Sequence, residues 1–375
     1  MQVRFLWSSD HHTLHQITPT THILGNLSKF LWIDHDLAKV NMVVFGGDFM
    51  ERVVDSPNAD NFKIKDWGRE FLDKAHEANP DMVVIWLEGT SSHDWGQPRH
   101  FLNLAPRGFD VRYIDTLCIQ VFEQFDDLSV MYVPDNMGKM TPDDIWDLAL
   151  KELKSKNMDK VDLIYFHGGF EFQLHAAARH SAHNLDRWES IAEYGIFAGH
   201  IHTPVQKGKL WTSGSFDRTA HGEEHPKGGY CVDLDKKTNK FNPVFWENKN
   251  ALPYVTMKVD KETGAEQLVK DVHEFIAKKK LPLHAQLRIK GGSSEVVNPV
   301  MAVLAKDYPY LGFKSDNEVD KGILVDDTMF DSNVYVGVSL TKENLNDSLL
   351  PEISDELEAA GISVDEAWAV LEEFT

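Results

Sequence analysis

Carboxylates and imidazoles recur in five short segments of this chain, and their mixture suits divalent metal ions. Mixed oxygen and nitrogen ligands favour Mn²⁺, Fe²⁺ or Zn²⁺ over Ca²⁺ or Mg²⁺ alone. Two such ions, ~3.5–4 Å apart, can clamp both the attacking and the leaving oxygen of a phosphoester. The pattern therefore predicts a two-metal site. The five segments are Asp10-His11-His12, Gly47-Asp48, Ser92-His93-Asp94, His167 and Gly199-His200-Ile201-His202.

Each segment follows a short apolar run, rich in Val, Ile, Phe and Trp, that is typical of a buried strand. The runs cover residues 3–7, 42–45, 82–87, 163–166 and 196–198. The helix-like segments between them cover residues 28–39, 67–79, 143–154 and 185–194. Strands that alternate with helices are mostly parallel, and ligands bind at the carboxyl ends of such strands. We therefore expect the five segments to meet at one rim of a sheet.

Each segment alone has an ordinary structural explanation. Asp10 and His12 form part of a triplet that many loops contain by chance. A glycine pair before Asp48 is typical of a turn, and a lone histidine such as His167 is more often structural than a ligand. The prediction of a metal site therefore depends on the whole set, because all five segments occur in order, each after a strand.

The composition is that of a large, acidic globular chain. Its 375 residues suffice for two domains and a small third element, and its formal net charge is −21. That charge argues against holding nucleic acid by bulk charge, but not against meeting phosphate through metal ions and a local basic patch. Cys118 and Cys231 form no disulfide framework, and no apolar stretch is long enough to cross a bilayer. With no signal-peptide pattern at the start, these features predict a cytoplasmic protein.

The fold class expected from the pattern is α/β, with three units along the chain. Residues 1–248 alternate strand and helix and then add short strands that complete a second sheet, with helices outside. Residues 249–328 predict a small α+β domain of three strands and two helices. Residues 329–375 predict an acidic helical segment.

The order of these motifs resembles that of the calcineurin-like metallophosphoesterase family. The resemblance implies a β-sandwich flanked by helices, and a hydrolase with two divalent metal ions. The residues that the family's pattern assigns to the first metal are Asp10, His12 and His202. Those assigned to the second metal are His167 and His200, with Asp48 bridging the two ions.

The motif around His93 departs from the family in one residue. The resemblance implies that His93 is the catalytic histidine, which orients the phosphate or protonates its leaving oxygen, with Asp94 supporting it. The family usually has an asparagine before this histidine, and its amide oxygen binds the second metal. Ser92 stands in that place here. Either the Ser92 hydroxyl binds the metal, or a water fills the gap, or the second site is loose.

A longer stretch resembles one branch of the family, the SbcD-type nuclease subunit of DNA double-strand-break repair complexes. This stretch comprises Gly199-His200-Ile201-His202-Thr203-Pro204, Gly214-Ser215-Phe216-Asp217-Arg218, Gly222-Glu223-Glu224 and Lys227-Gly228-Gly229-Tyr230. The branch implies a Mn²⁺-dependent DNA exonuclease and endonuclease, with residues 249–328 as a capping domain that binds DNA. It also implies an SbcC-type coiled-coil ATPase as partner. The serine variant suggests a divergent, phage-encoded member that acts in the host cytoplasm in DNA repair, recombination and replication.

Several further assignments leave two explanations open. Arg99 and Arg218 are the leading candidates for contacts with substrate phosphate, followed by Arg107, Arg112 and Arg179, but any one of them could be a solvated surface residue. Trp95 could stack on a base or pack in the core. Helices expected at 344–358 and 365–374 could dock on the ATPase or pack on their own domain. Homodimerisation is also left open.

Three functions remain in competition. The first is a two-metal DNA nuclease. The second is a phosphatase or small-molecule phosphodiesterase with the same core. The third is a non-catalytic scaffold that binds DNA ends or the ATPase, against which the intact His93 and Asp94 argue. The physiological metal is expected to be Mn²⁺, with Mg²⁺, Fe²⁺ and Zn²⁺ as alternatives.

Overall fold

Two six-stranded mixed sheets organise the larger part of the chain in the computed structural model, which describes residues 2–53, 58–135, 140–174 and 181–316. The first sheet has the spatial order β12 (Lys240–Glu247), β11 (Gly228–Asp235), β1 (Gln2–Ser8), β2 (Met42–Phe45), β3 (Val83–Leu87) and β4 (Asp110–Ile114). The second has the order β5 (Cys118–Phe122), β6 (Leu128–Val133), β7 (Val161–His167), β8 (Ala192–Gly199), β10 (Leu210–Thr212) and β9 (Val205–Lys207).

Each sheet combines a block of parallel strands with antiparallel strands at one or both of its edges. In the first sheet β1 to β4 run parallel, whereas β11 and β12 join as an antiparallel hairpin. In the second sheet β6, β7, β8 and β10 run parallel, and β5 and β9 are antiparallel edges. The α/β class expected from the sequence is therefore confirmed, and the parallel strands bring several carboxyl ends to one rim.

Alternating side chains on each strand separate the hydrophobic cores. On β1, Phe5 and Trp7 face the second sheet, where both rings contact Tyr165 at centroid distances of 5.7 and 5.3 Å. Leu6 points the opposite way, into a core beneath the helices. Because these strands are buried on both faces, their sequences are continuous apolar runs rather than alternating ones.

Helices cover the outer face of each sheet. The first sheet packs against α1 (Thr20–Ser28) and α2 (Ala59–Ala78), and the second against α3 (Pro142–Ser155) and α4 (Leu185–Ile191). Short turns of other helix types are Lys29–Ile33, Leu37–Lys39, Gln97–Asn103 and Glu123–Phe125. The start of α3 follows the expected signals, since the Thr141 hydroxyl accepts from the Asp144 amide at 3.2 Å and the Asp144 carboxylate accepts from the Thr141 amide at 2.9 Å.

A second unit with its own core follows. It consists of β13 (Tyr254–Val259), α5 (Ala265–Lys279), β14 (Gln286–Gly291), α6 (Ser294–Asp307) and β15 (Gly312–Asp316). The three strands form a parallel sheet in that order, and Leu287 and Ile289 pack with Leu268 and Leu304 of the helices. The acidic segment predicted at 329–375 lies outside the described residues.

Two further observations concern membrane-spanning helices and the cysteines. Among the helices that the structure describes, none has both the length and the apolar character needed to span a bilayer. Cys118 and Cys231 are both free thiols, each half-buried.

Candidate metal centre

The structure gathers eight imidazole and carboxylate side chains into three groups at one rim of the stacked sheets. In each group the candidate ligand atoms lie within 4.8 Å of one another. The first ligand group is Asp10, His12 and His202. The second ligand group is Asp48, His167 and His200. A third combination, His12 with Glu51 and His93, shares His12 with the first. Groups of this composition could hold a metal ion.

Strained backbone marks four of these residues. Asp10, His12, Asp48 and His200 have φ values of 52°, 49°, 50° and 84°, in the left-handed region that residues with a side chain rarely adopt. Each lies in the turn that follows a parallel strand. Such conformations cost free energy and persist where the surrounding structure holds them, often at functional sites.

Carboxylates orient both histidines of the first ligand group. The His202 Nδ1–H donates to Glu223 Oε1 at 2.7 Å, because a carboxylate can only accept. Glu51 Oε2 lies 2.7 Å from His12 Nδ1, although the two atoms are not aligned for a good hydrogen bond. At this distance a nitrogen lone pair would repel the carboxylate, so Nδ1 carries a proton. With both Nδ1 atoms turned toward carboxylates, the two Nε2 atoms face each other at 3.0 Å, close enough to share one proton in the metal-free protein.

Asp10 adds a carboxylate beside these two nitrogens. Its Oδ1 accepts from the His200 backbone amide at 2.8 Å and lies 3.9 Å from His202 Nε2. Its Oδ2 is buried and has no hydrogen-bond partner within the described part of the chain. A buried acceptor without a donor is costly, and a cation resolves the conflict. Two imidazole nitrogens bound at ~2.1 Å to one ion lie ~3.0–3.4 Å apart, so the residues fit a metal ion.

Backbone groups orient the second ligand group. The His167 Nδ1–H donates to the Gly46 carbonyl oxygen at 2.7 Å, which places the Nε2 lone pair toward the site. This buried Nε2 lies 3.2 Å from Asp48 Oδ2 without forming a hydrogen bond. Asp48 accepts from the Thr90 amide at 2.6 Å and from the Thr90 hydroxyl at 3.1 Å. Here too a cation fits between a ring lone pair and a carboxylate.

The pKa values in the metal-free protein reflect the same proximity. Burial alone would raise the pKa of Asp48, but His167 beside it holds that pKa well below its usual range. Burial would lower the pKa of His167, and the Asp48 carboxylate instead raises it well above its ordinary value. In the first ligand group burial opposes the charged ring, yet Glu223 raises the pKa of His202 to about 9. Both groups therefore favour an added positive charge.

Two glycines allow this close approach. A side-chain carbon on Gly47 would lie 2.2 Å from His167 Nδ1, and Gly47 also has a φ of +96°. A side-chain carbon on Gly89 would lie 2.1 Å from the Asp48 amide nitrogen. Any other residue would collide with the second ligand group at either position.

His93 and Asp94 have different surroundings. The His93 Nδ1–H donates to the Glu51 backbone carbonyl at 2.9 Å. The Asp94 carboxylate accepts from the amides of Met50 at 2.8 Å and Gly89 at 2.9 Å, so it ties together the loops after β2 and β3. Burial, with the nearby charge of Asp48, raises the pKa of Asp94 well above its usual range. These contacts indicate that Asp94 supports the loops that carry the site.

Ser92 is exposed, and Thr90 provides the hydroxyl at the second ligand group. The Thr90 hydroxyl lies 3.1 Å from Asp48 Oδ2 and 3.4 Å from His200 Nδ1. Thr90, and not Ser92, therefore places a hydroxyl beside the second ligand group. The reason is a tight turn between Thr90 and His93, in which the His93 amide donates to the Thr90 carbonyl.

The two leading arginines make contacts within the protein. Arg218 donates to the backbone carbonyls of Glu223 at 2.9 Å, Ala251 at 2.8 Å and His225 at 3.4 Å, and so joins the histidine loop to the start of the second unit. Arg99 is exposed and pairs with Asp115 at 2.6 Å. Arg112 pairs with Asp110, Arg107 is exposed, and Arg179 lies outside the described residues.

Three carboxylates near the rim had no assigned role in the sequence analysis. Glu51 contacts His12 and His93, and Glu223 contacts His202. Asp135 follows β6 at the same rim; burial raises its pKa, partly offset by His200 and His167. Glu51 stands three residues after Asp48 and Glu223 lies in the Gly-Glu run, so their sequence positions carried a signal. Their contacts depend on how loops pair, which the sequence pattern does not specify.

Comparisons with known proteins add little. No family model matches this chain, and no curated protein matches it. Among solved structures, GAP50, the anchor in the inner membrane complex of Plasmodium, is similar over 67% of this chain and 86% of that chain, with 15% sequence identity and a TM-score of 0.41. Likeness at that level carries no argument about the site.

Proposed function

We propose that this chain is a metal-dependent phosphodiesterase that hydrolyses DNA, of the calcineurin-like metallophosphoesterase type and its SbcD-type branch. The observation that carries the proposal is the pair of Nε2 atoms of His12 and His202, 3.0 Å apart, beside the unpartnered Asp10 Oδ2. Two ring nitrogens that face each other beside a carboxylate hold a proton in the metal-free protein, and one divalent cation could take its place; the second ligand group is suited to another.

Each group has a distinct part in the proposed chemistry. Asp10, His12 and His202 would hold one ion, and His167 and His200 the other, with Asp48 between them. When bound, two divalent ions, Mn²⁺ first among the candidates, supply Lewis-acid polarisation of the phosphodiester. His93, whose Nδ1–H donates to the Glu51 carbonyl, would use Nε2 to carry a proton between the enzyme and the leaving oxygen.

Two features favour a nucleic acid over a small phosphate ester. The Trp95 side chain is 66% exposed, with a strained φ of 49°, two residues after His93. It therefore does not pack in the core, and an exposed indole is a stacking surface for a base. Residues 253–316 carry ten Lys and Arg against eight Asp and Glu, whereas the whole chain has a net charge of −21. The second unit is thus the part best suited to phosphate backbone.

The test is digestion of linear duplex and single-stranded DNA with Mn²⁺, comparing the unaltered chain with His93→Ala. His100→Ala is the matched control, because His100 is an exposed histidine a few residues further on. We expect cleavage to fall about a hundredfold or more in His93→Ala and to stay unchanged in His100→Ala. Chelation of the metal should abolish cleavage.

Two other outcomes would contradict the proposal. Hydrolysis of p-nitrophenyl phosphate without any cleavage of DNA or of bis(p-nitrophenyl) phosphate would identify a phosphatase. Mn²⁺ binding with no hydrolysis of any of these substrates, also after addition of a coiled-coil ATPase partner, would identify a scaffold.

A further inference from the structure

One lysine beside the first ligand group is wholly enclosed by protein. The Lys227 side chain is 0% exposed, and burying an ammonium group is costly unless all its protons are bound. All three proton positions have an acceptor within reach. These acceptors are Glu223 Oε2 at 3.0 Å, the His202 backbone carbonyl at 3.1 Å and the Ser215 hydroxyl at 2.6 Å.

Glu223 is similarly saturated. Its Oε1 accepts from the His202 ring at 2.7 Å, and its Oε2 accepts from Lys227 and, at 3.0 Å, from the Thr219 amide. The Thr219 hydroxyl adds a further bond to Oε1 at 3.1 Å. Because four donors hold the Glu223 carboxylate, it cannot rotate. The His202 ring that it binds is therefore held in one orientation.

Lys227 and Glu223 therefore fix His202 at two separate points. Lys227 binds its backbone carbonyl, and Glu223, itself held by Lys227, binds its ring. We propose that Lys227 is a positioning residue for metal binding, which fixes both the main chain and the ring of His202 so that Nε2 points at the first ligand group. This inference rests on the proposed function and extends it to the Gly-Glu and Lys-Gly segments of the sequence.

The alternative role of this ion pair is stability alone, and the chain contains a half-buried ion pair, Lys236 with Asp162, that serves as the comparison. Lys236 donates to Asp162 at 2.8 Å and to the Asp127 carbonyl at 3.0 Å. Asp162 is near the start of β7, whereas His167 ends that strand. The Lys236 pair therefore lies at the opposite rim from the ligand groups, and Lys236→Met is a matched control for Lys227→Met.

The experiment compares the full chain with these two variants in two measurements. Mn²⁺ affinity is measured by calorimetry. The protonation of the histidine rings is measured in the metal-free protein by ¹⁵N NMR, with the His202 signal assigned from a His202→Gln chain. We expect Lys227→Met to lower Mn²⁺ affinity by about 10–100-fold and to change the Nδ1–H signal of His202. We expect Lys236→Met to change neither, although both variants should unfold at lower temperature.

The proposal fails if Lys227→Met binds Mn²⁺ as tightly as Lys236→Met and leaves the His202 signal unaltered. Should Lys227→Met not fold, Glu223→Gln keeps the shape of the side chain and removes its charge, and the same loss of affinity is expected there. No Mn²⁺ binding by the unaltered chain would contradict the proposed function, while the His202 signal in metal-free Lys227→Met would still decide the role of Lys227.

Discussion

The two ligand groups contain similar residues but are held by different means. In the first, side-chain carboxylates contact the Nδ1 atoms of the rings, Glu51 at His12 and Glu223 at His202. In the second, a backbone carbonyl holds His167, and the main chain and hydroxyl of Thr90 hold Asp48. The first group thus depends on charge, and the second depends on the path of the backbone.

This difference sets what each group tolerates. In the second group, glycines at the turns make the space for the side chains. Both groups are buried to a similar degree, since each has two buried members and one half-buried histidine. We therefore expect substitutions that move the backbone to disrupt the second group most. We expect substitutions that remove a charge to weaken metal binding by the first group.

The largest expected effect is that of Asp48→Asn, because Asp48 lies against His167 and would, in the proposed function, bridge the two ions. We expect activity on DNA to fall at least about a thousandfold, since the carboxylate charge that would hold two ions is gone. Asp81→Asn, at an exposed turn, is the matched control and should retain full activity. Activity within tenfold of the unaltered chain would show that the two groups do not act together.

Gly89→Ala tests the dependence of the second group on the backbone. The added carbon would meet the Asp48 amide nitrogen at 2.1 Å, so the loop must move. We expect a loss of about 2 kcal/mol in the free energy of unfolding and about a hundredfold in activity. Gly25→Ala, where no atom lies within 4 Å, is the control and should be neutral or stabilising. Equal activity of the two variants would contradict the comparison.

Glu51→Ala tests the dependence of the first group on charge. Without the carboxylate 2.7 Å from its Nδ1, the His12 ring is less basic and freer to turn. We expect Mn²⁺ affinity to fall about tenfold, with little change in the unfolding midpoint, because Glu51→Ala keeps the backbone carbonyl that binds His93. Glu70→Ala, which removes one partner of an exposed ion pair on α2, is the control and should leave the Mn²⁺ affinity unaltered. A larger loss of stability than of Mn²⁺ affinity would show that Glu51 serves the fold and not the metal ligand His12.

The sequence predicted the candidate ligands of the site better than the residues that orient them. Asp10 and His12, Asp48, and His200 and His202 each follow a strand directly, so the parallel sheet alone brings them to one rim. The partner of each ring could not be predicted, because it depends on pairing between loops. The Glu51 amide donates to the Thr13 carbonyl at 2.8 Å, and this contact between the loops after β1 and β2 places Glu51 beside His12.

The predicted starts of the first two helices were wrong, because the apolar pattern was misleading there. The first helix was expected at 28–39, but α1 spans Thr20–Ser28 and continues as a wider turn over Lys29–Ile33. The prediction followed the aromatic residues near the end of this segment. The second was expected from residue 67, but α2 begins at Ala59, where the Asn58 side chain accepts from the Asp60 amide at 2.8 Å. Its first turns are largely exposed, so no apolar stripe marked them.

A prediction on stability alone concerns His183, a histidine outside both ligand groups that lacks their carboxylates. It packs against Phe166 and Trp188, and burial lowers its pKa from 6.5 to about 4. Because the unfolded chain takes up this proton first, the stabilisation is complete above pH 6.5 and is lost as the pH falls toward 4. His183→Phe should therefore flatten the acid limb of the unfolding free energy by at most about 3 kcal/mol in metal-free protein. An unchanged acid limb would mean that His183 is hydrated, and that burial without a carboxylate does not suffice to keep a ring neutral here.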